Sequence, residues 1–378
     1  MHINRYLLNE IIKKTEPNKV VVIYGPRQVG KTTLVKELLK LIDPEKKALV
    51  VSGEDRNVSS WLGSQSITTL KQYIGDKTLL VIDEAQKIEN IGLNLKLIVD
   101  HINGIRVIAT GSSSFELANQ VGEPLVGRKW QFTLYPIAQI ELSQYEARHE
   151  TEAILPFRLL YGSYPAVITA KNSKDKIKML SEIVDGYLFK DMFAYDEIRK
   201  SQKIIDILRL LAFQIGHDVS LNEIGTQVHL DLRTVERYID LFEKVFAIKK
   251  VYGFSRNQRK EITKNCRYYF WDLGIRNALI NNFNPIEMRN DIGMLWENYL
   301  FIERLKKQEY FHLYANNYFW RTYDQKEIDH VEEREGQLFG YEYKWGQAKS
   351  KNAKAWLSSY ENNNFEIINQ ENYLTFIS

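Results

Sequence analysis

The sequence has little that would commit it to a disulfide scaffold, a zinc finger or a membrane. Cys266 is the only cysteine among its 378 residues, which excludes an intrachain disulfide and a cysteine-based zinc site and fits a reducing cytoplasm. No apolar run approaches the roughly 18 residues of a membrane-spanning helix, so we expect no membrane association. Lys and Arg number 51 against 48 Asp and Glu, a formal charge of +3, so any basic surface for nucleic acid must be local.

What is present is the composition of an ordinary globular protein, with 44% apolar and 26% charged residues. The length has room for two or three domains. Changes of pattern along the chain predict three, at 1–150, 151–285 and 286–378. The N-terminus, MHINRYLLNEIIKK, carries Glu10 and Lys13 inside its apolar stretch, which predicts an amphipathic helix rather than a signal peptide.

The first domain alternates short β-rich runs with helical patterns. The predicted strands are Lys19–Tyr24, Ala48–Ser52, Thr78–Asp83 and Ile105–Thr110, and helical patterns between them include Lys31–Leu41 and Leu93–Ile102. The runs are almost wholly apolar, as strands buried on both faces are. This alternation predicts an α/β fold with a parallel sheet covered by helices.

The first predicted strand runs directly into a G-x-x-x-x-G-K-T phosphate loop. We expect nucleotide contacts from Gly25, Pro26, Arg27, Gln28, Val29, Gly30, Lys31, Thr32 and Thr33. Glycines let backbone N–H groups wrap a phosphate, and the following helix offers its N-terminal dipole to the same anion. Lys31 then reaches the β- and γ-phosphates of ATP, and the Thr32 hydroxyl ligates Mg²⁺.

Two acids follow the third predicted strand. Asp83 is placed to hold the Mg²⁺ shell, and Glu84 to polarise a water against the γ-phosphate. The acid pair, with the extra strand Ala48–Ser52 before it in the chain, favours a hydrolase over a small-molecule kinase. Thr110 and Ser112 end the fourth strand, where they either sense the γ-phosphate or belong to a Ser-rich turn that caps the next helix.

These motifs together resemble one prokaryotic family of AAA-type P-loop ATPases. The resemblance rests on VVVIYGPRQVGKTTL, TLLVIDEAQ, VIATGSSSFEL and LVGRKWQFTLYPIAQIE, and then on YGSYPAVI, YYFWDLGIRNAL and DIGMLWENYL, so it spans nearly the whole chain. It implies ATP hydrolysis with Mg²⁺, served by the loop and acid pair already described. It also implies homo-oligomers, with Arg128 a candidate finger toward a nucleotide of its own or of a neighbouring subunit. A surface arginine that opens a strand is the alternative.

The second domain begins with helical patterns and continues into a possible winged helix. Leu221–Val228 and Thr234–Phe242 read as two short helices joined by a turn. On the second helix, Arg233, Thr234 and Arg237 would meet a groove of double-stranded DNA. Basic residues where a wing would lie, which would contact phosphates, are Arg256, Arg259, Lys260 and Lys264. The alternative is a winged helix that packs against protein.

The third domain contains the alternating sequence KEIDHVEEREGQLFGYEYKW. A two-residue loop at Glu335-Gly336 sets Asp329 opposite Glu342, with Lys344 on the same face. The alternation turns the opposite set toward a core: Ile328, His330, Tyr341 and Tyr343. Two carboxylates that hold Mg²⁺ beside a lysine are the parts of a metal-dependent phosphodiesterase.

This arrangement resembles the small α+β core of restriction-endonuclease-like nucleases. That resemblance adds Glu297, in the preceding helix, as a further metal ligand. The alternative is a solvated charged face on which Glu327 and Lys344 form a cross-strand ion pair.

Three functions are compatible with these patterns. The first is a cytoplasmic ATPase that couples its nucleotide state to DNA binding or processing. The second is a metal-dependent DNA nuclease regulated by the ATPase. The third is an ATP-gated protein-interaction switch whose nuclease-like domain is inactive, because a fold does not imply its function.

Overall fold

The computed structural model describes residues 3–111, 122, 124–189, 192, 201–255, 266–322, 324–346 and 353–378. These residues divide into two compact units. The first runs up to Pro136 and includes Lys244–Phe246, and the second comprises Ile137–Glu243 and Ala247–Ser378. No helix in the described ranges is both long and apolar enough to cross a membrane.

The first unit is a parallel α/β layer structure, as the alternating pattern predicts. Its strands are β1 (Lys19–Tyr24), β2 (Leu49–Ser52), β3 (Leu79–Asp83), β4 (Arg106–Gly111) and β5 (Lys129–Thr133). Its helices are α1 (Leu8–Lys14), α2 (Lys31–Ile42), α3 (Arg56–Leu62), α4 (Ile67–Ile74) and α5 (Ile91–His101), with a 3₁₀ turn at Ala85–Lys87. All pairs in the sheet are parallel, in the order β2-β3-β4-β1-β5. The four predicted strands and two predicted helices are confirmed.

Burial on both faces of the sheet explains its stability. One face packs with the helices through Val20, Val22, Leu80, Ile82, Val107, Leu70, Leu95 and Ile98. The opposite face buries Val21, Ile23, Val81 and Ile108. Each such side chain contributes about 1.5–3 kcal/mol when fully buried. Because the strands are parallel, the carboxyl ends of β1, β3 and β4 meet at one edge of the sheet.

The second unit combines helices with a mixed sheet. Its helices are α6 (Gln139–Leu142), α7 (Arg148–Tyr161), α8 (Pro165–Thr169), α9 (Ser173–Ile183), α10 (Ser201–Phe213), α11 (Leu221–Val228), α12 (Leu232–Lys244), α13 (Leu273–Leu279), α14 (Ile292–Tyr310), α15 (Ala353–Ser359) and α16 (Tyr373–Ile377), with a π-turn at Val184–Leu188 and a 3₁₀ turn at Ile286–Met288. Its strands are β6 (Ile248–Gly253), β7 (Cys266–Phe270), β8 (Asn316–Arg321), β9 (Glu327–Arg334), β10 (Gln337–Tyr343) and β11 (Asn363–Ile368). The order β11-β10-β9-β8-β6-β7 joins strands from both sides of residue 285 in one sheet.

The hairpin predicted near the C-terminus is confirmed. β9 and β10 are antiparallel with Gln337 opposite Arg334, and the loop residues Glu335 and Gly336 have φ of 52° and 73°. Positive φ at both positions is the geometry of a tight two-residue hairpin turn. The same register sets Asp329 opposite Glu342.

The predicted alternation along β9 is wrong at Ile328. Tyr318 pairs with Val331 and Trp320 with Ile328, so β9 has one extra residue against β8. This bulge puts Ile328 into the apolar cluster of Val331 and Trp356, whereas His330 packs on Phe301 with ring centroids 4.6 Å apart. A bulge of this kind re-aims side chains and leaves no trace in an alternating sequence pattern.

The later family-like stretches meet one another inside the second unit. The Asp272 carboxylate accepts hydrogen bonds from the backbone N–H groups of Ser163 (2.6 Å) and Ile275 (3.1 Å). The Asn298 amide pairs with both the N–H and the C=O of Phe270, at 2.7 and 2.9 Å. Each contact satisfies buried backbone groups, so these residues stabilise the unit.

Candidate functional site

The phosphate loop follows β1 at the carboxyl edge of the first sheet. Its backbone has positive φ at Gly25 (149°), Gln28 (63°) and Gly30 (96°), which curls the chain before α2 begins. A Cβ atom at Gly25 would lie 2.2 Å from the backbone oxygen of Leu134, so only glycine fits there. A loop curled in this way at a helix N-terminus can cradle a phosphate.

Lys31 already lies inside the loop. Its side chain is buried, with 6% exposed, and its ammonium donates to the carbonyl oxygens of Gly25 (2.8 Å) and Pro26 (2.9 Å). The positive charge is therefore held where an anion bound in the loop would meet it. Bonds from this ammonium to phosphate oxygens in place of the carbonyls would be stronger, because donor and acceptor would then carry opposite charges.

Arg5 supports the same loop, and sequence reasoning missed it. The buried guanidinium donates to the backbone oxygens of Val29 (2.7 Å) and Tyr135 (2.6 Å). It thereby links the loop to the segment after β5. No local signal marks this residue, since Tyr135 lies 130 positions away in the chain.

The two residues predicted to hold Mg²⁺ are brought together. The Thr32 hydroxyl donates to Asp83 Oδ2 at 3.0 Å, although the two residues begin a helix and end a strand that are far apart in sequence. A hydroxyl and a carboxylate beside bound phosphates are the usual protein ligands of Mg²⁺. These residues therefore fit the metal, with phosphate and water oxygens completing its shell.

Thr110 contacts the acid pair. Its fully buried hydroxyl donates to Asp83 Oδ1 and accepts from the Glu84 N–H at 3.3 Å. In this arrangement Thr110 orients the carboxylate of Asp83. Ser112, the other predicted sensor, lies outside the described residues, as does the helix that a Ser-rich turn would cap.

Glu84 directly follows β3 and has left-handed backbone geometry, with φ of 51°. Its side chain is half-buried. Its Oε2 accepts a hydrogen bond from Nε2 of the buried Gln86 at 2.6 Å. The predicted water-activating carboxylate is thus held by a neutral amide from the next turn, a partner that the sequence pattern does not indicate.

Arg128 lies at the amino-terminal ends of the strands, whereas the phosphate loop lies at their carboxyl ends. Its backbone oxygen accepts from Val20 at the start of β1, whereas the loop begins after Tyr24, roughly 15 Å further along the strand. Its guanidinium donates to Asp100 at 2.7 Å, and this bond lowers the pKa of the Asp100 carboxyl. Arg128 does not reach the nucleotide of its own chain, so the predicted finger requires a neighbouring subunit and stays a prediction.

In the second unit, the hairpin brings three predicted residues together. Lys344 Nζ lies 2.7 Å from Glu342 Oε1, so the lysine pairs with Glu342 in place of the alternative partner Glu327. Asp329 Oδ2 accepts from the Tyr343 N–H at 2.8 Å, and burial raises the pKa of Asp329 to about 6. Glu342 Oε2 is buried and has no hydrogen-bond partner among the residues that the structure describes.

Glu297, the third predicted metal ligand of this domain, has hydrogen-bond and charge partners of its own. It accepts a hydrogen bond from the Tyr269 hydroxyl at 2.7 Å, and burial together with nearby Asp329 raises its pKa to about 8. At neutral pH this carboxyl is mostly protonated, which is a poor state for binding a cation. Among the residues that the structure describes, no group of three or more His, Cys, Asp or Glu is arranged to hold a metal ion.

A buried arginine that the sequence did not suggest lies beside Glu297. Arg267 of β7 contacts Asp218 (3.1 Å), Glu297 (3.5 Å) and Glu327 (2.8 Å), and its side chain is 2% exposed. Its guanidinium also lies over the ring of Phe319, 4.4 Å from the centroid. We call Arg267, Asp218, Glu297 and Glu327 the Arg267 cluster. It joins a loop, two strands and a helix.

The predicted pair of helices is confirmed as α11 and α12, joined by a turn with His229 in the left-handed region. The Asp231 carboxylate accepts hydrogen bonds from the N–H (3.0 Å) and the hydroxyl (2.7 Å) of Thr234. Thr234 is therefore bonded to the residue that caps the start of α12. Arg233 and Arg237 are exposed. Over residues 221–244, which comprise α11, α12 and the turn between them, the charged residues are five acids and three bases, a net −2: Glu223, Asp231, Glu236, Asp240 and Glu243 against Arg233, Arg237 and Lys244. The basic residues of the predicted wing, Arg256, Arg259, Lys260 and Lys264, lie outside the described residues.

Family models match three separate parts of the chain. The AAA domain matches residues 17–143. A domain of unknown function (DUF8612) matches residues 152–285, and a second (DUF4143) matches residues 292–372. With the phosphate loop and acid pair on its parallel sheet, the region 17–143 is a P-loop AAA-type ATPase domain.

Relatives extend the similarity over most of the chain. An uncharacterized protein of Mycobacterium tuberculosis is 25% identical over 330 residues, which cover 86% of this chain and 70% of the relative. An uncharacterized protein of Methanocaldococcus jannaschii is 21% identical over 385 residues, which cover 94% of this chain and 85% of the relative.

Solved structures are more distant. A signal transduction ATPase with numerous domains and a tetratricopeptide repeat sensor, from Pyrococcus horikoshii, is 13% identical with a TM-score of 0.32 over 81% of this chain and 46% of its own. The Pif1 helicase of Candida albicans is 15% identical with a TM-score of 0.29 over 48% of each chain. The chain spans less than half the length of either structure. At these TM-scores they say nothing about its activity.

Proposed function

We propose that this protein binds ATP with Mg²⁺ and hydrolyses it at the phosphate-loop edge of its first unit. The observation that carries the proposal is the 3.0 Å contact between the Thr32 hydroxyl and Asp83 Oδ2. This contact supports Thr32 and Asp83 as a pair of Mg²⁺ ligands, because Lys31, whose ammonium is buried, directly precedes Thr32 at the start of α2. This combination suits a nucleoside triphosphate better than a lone anion.

The residues have distinct roles in this proposal. Backbone N–H groups of the loop and Lys31 bind the phosphates, and the bound Mg²⁺ neutralises charge on their oxygens. Thr110 keeps Asp83 turned toward Thr32. Glu84 accepts a proton from the attacking water and orients it toward the γ-phosphate.

Replacement of Glu84 by glutamine tests this assignment. The amide keeps the shape but cannot accept the proton, so we expect ATP turnover to fall by about 10²–10⁴-fold while ATP binding persists. Phosphate release and calorimetric titration with ATP and Mg²⁺ measure the two quantities. The matched control is Glu89→Gln, which changes an exposed carboxyl nearby and should turn over ATP like the parent. Normal turnover by the Glu84 variant would show that the active-site assignment is wrong.

We further propose that the nucleotide state is coupled to a macromolecular partner. The net charge of −2 over residues 221–244, which comprise α11, α12 and their turn, favours a protein partner over double-stranded DNA at this surface. Phosphate contacts by Lys and Arg supply most of the affinity of non-specific DNA binding, and acids on the same helices oppose it. An ATP-gated protein-interaction switch is therefore the form of coupling that the described helices support best.

A second candidate function is metal-dependent cleavage of DNA by the hairpin of the second unit. The observation that favours it is the buried, unpartnered Oε2 of Glu342, because buried polar atoms normally have a partner. With Asp329 opposite, this oxygen supplies a two-carboxylate donor set for one Mg²⁺. The metal would stabilise charge at a phosphodiester, and Lys344 is placed to orient water beside it.

A matrix of metals and nucleotides with linear and supercoiled DNA tests this candidate. We expect cleavage with Mg²⁺ or Mn²⁺ that Glu342→Gln lowers at least about 10²-fold, whereas Glu361→Gln, at an exposed position, leaves it unchanged. A Glu342 variant that cleaves DNA as fast as the parent would show that this carboxylate has no role in cleavage. A parent protein that cleaves under none of the conditions would contradict the nuclease function. DNA that stimulates ATP turnover, with a stimulation that fades with salt, would favour DNA over a protein partner.

A further inference from the structure

The side chain of Gln86 is better fixed than the carboxylate it contacts. Gln86 lies in the 3₁₀ turn Ala85–Lys87 and is 6% exposed. Glu84 is only half-buried, so packing restricts its carboxylate less than it restricts the Gln86 amide. The hydrogen bond from Gln86 Nε2 to Glu84 Oε2 is 2.6 Å long. A packed donor that holds a mobile acceptor restricts the acceptor.

The backbone makes this restriction necessary. Glu84 follows the last residue of β3 and has φ of 51°, so the strand ladder that orients its neighbours does not orient Glu84. Ordering a side chain of this length costs up to about 2 kcal/mol of rotamer entropy. Part of that cost is met before any substrate binds when the carboxylate is already held.

The chemical nature of the donor also suits the role. An arginine or lysine would add a positive charge beside the carboxylate and compete for it as an ion pair. A neutral amide orients one oxygen and adds no net charge, so Oε1 remains available to the attacking water. The arrangement parallels Thr110, whose hydroxyl holds the other acid, Asp83, from β4.

We propose that Gln86 is the positioning residue of the hydrolytic site, and that its amide aims the Glu84 carboxylate at the water that attacks the γ-phosphate. This inference rests on the proposed ATP hydrolysis. Gln86 contacts neither nucleotide nor metal in this role; it acts through Glu84. Its removal should therefore lower kcat and leave ATP affinity unchanged.

Two variants of similar volume separate the hydrogen bond from packing. Gln86→Met keeps the bulk and removes the donor, and Gln86→Glu replaces the donor with a second carboxyl. We expect kcat to fall on the order of 10- to 100-fold in Gln86→Met and further in Gln86→Glu, with the ATP Kd within about twofold of the parent. The control Gln72→Met makes the same exchange on the exposed face of α4 and should match the parent. Thermal unfolding confirms that each variant is folded.

The outcomes distinguish this inference from the proposed function. A parent that fails to hydrolyse ATP, or a Glu84→Gln variant that hydrolyses it normally, overturns the proposed function itself. If the parent hydrolyses ATP and the Glu84→Gln variant does not, the Gln86 variants test the positioning role alone. A folded Gln86→Met variant with parental or higher kcat, or with loss confined to ATP affinity, overturns the positioning role.

Discussion

Replacement of Lys31 by alanine is expected to lower ATP turnover by at least about 10²-fold and to weaken ATP binding. The ammonium lies within the phosphate loop, bonded to two of its carbonyl oxygens. It is the side-chain charge best placed to meet the β- and γ-phosphates, where charge develops during transfer. Phosphate release at saturating ATP and calorimetric titration measure the two losses.

Lys36→Ala is the matched control for Lys31. Lys36 lies on the same helix, α2, and is exposed, so its loss should leave turnover and ATP affinity unchanged. Thermal unfolding of both variants shows whether the loop carbonyls tolerate the loss of the buried ammonium. Normal hydrolysis by a folded Lys31→Ala variant would remove the assignment of the loop as an ATP site.

Replacement of Arg267 by methionine is expected to destabilise the second unit by about 1.5–3 kcal/mol. The guanidinium is 2% exposed and contacts three carboxyl groups on separate elements. Its removal takes a hydrogen-bonding cation from all three carboxyl groups, but Asp218 and Glu327 keep Arg321 as a second cation at 3.0 and 4.0 Å. The expected cost is therefore that of lost hydrogen bonds to a charged group. Chemical denaturation followed by tryptophan fluorescence measures the change.

Arg148→Met provides the comparison for an exposed ion pair. Arg148 contacts Glu152 at 2.8 Å, but the two side chains are 64% and 44% exposed. Surface pairs contribute about 0–1 kcal/mol, so this variant should remain close to the parent. Equal destabilisation by the two substitutions would show that the Arg267 cluster is not the buried hub that its contacts indicate.

The nucleotide-binding edge could be predicted because its parts are local in sequence. Gly25 through Thr33 are contiguous, and a strand, a curled loop and a helix N-terminus follow from their order. Asp83 and Glu84 follow an apolar run that is buried on both faces. The C-terminal hairpin was predictable for a related reason, because a two-residue loop at Glu335-Gly336 sets the register of the strands beside it.

The supporting contacts could not be predicted, because they join distant parts of the chain. Arg5 reaches Val29 and Tyr135, and the acids around Arg267 come from elements up to 60 residues away. Gln86 lies two positions after Glu84 in the sequence. The strand pattern ends before it, however, and therefore does not predict which group its side-chain amide contacts. The bulge in β9 likewise could not be predicted, because the alternation of apolar and polar residues does not show it.

By itself, the sequence determined the phosphate loop, the acid pair, the parallel α/β class and the hairpin, because short-range geometry and burial periodicity decide each of them. Only the tertiary structure decided that β4, rather than β2, lies between β1 and β3, which brings Thr110 onto Asp83. It alone showed that Glu297 accepts a hydrogen bond from Tyr269 and lies beside Arg267. The reason is physical: which groups meet at a sheet edge depends on strand order and long-range packing, and neither is written in any single segment.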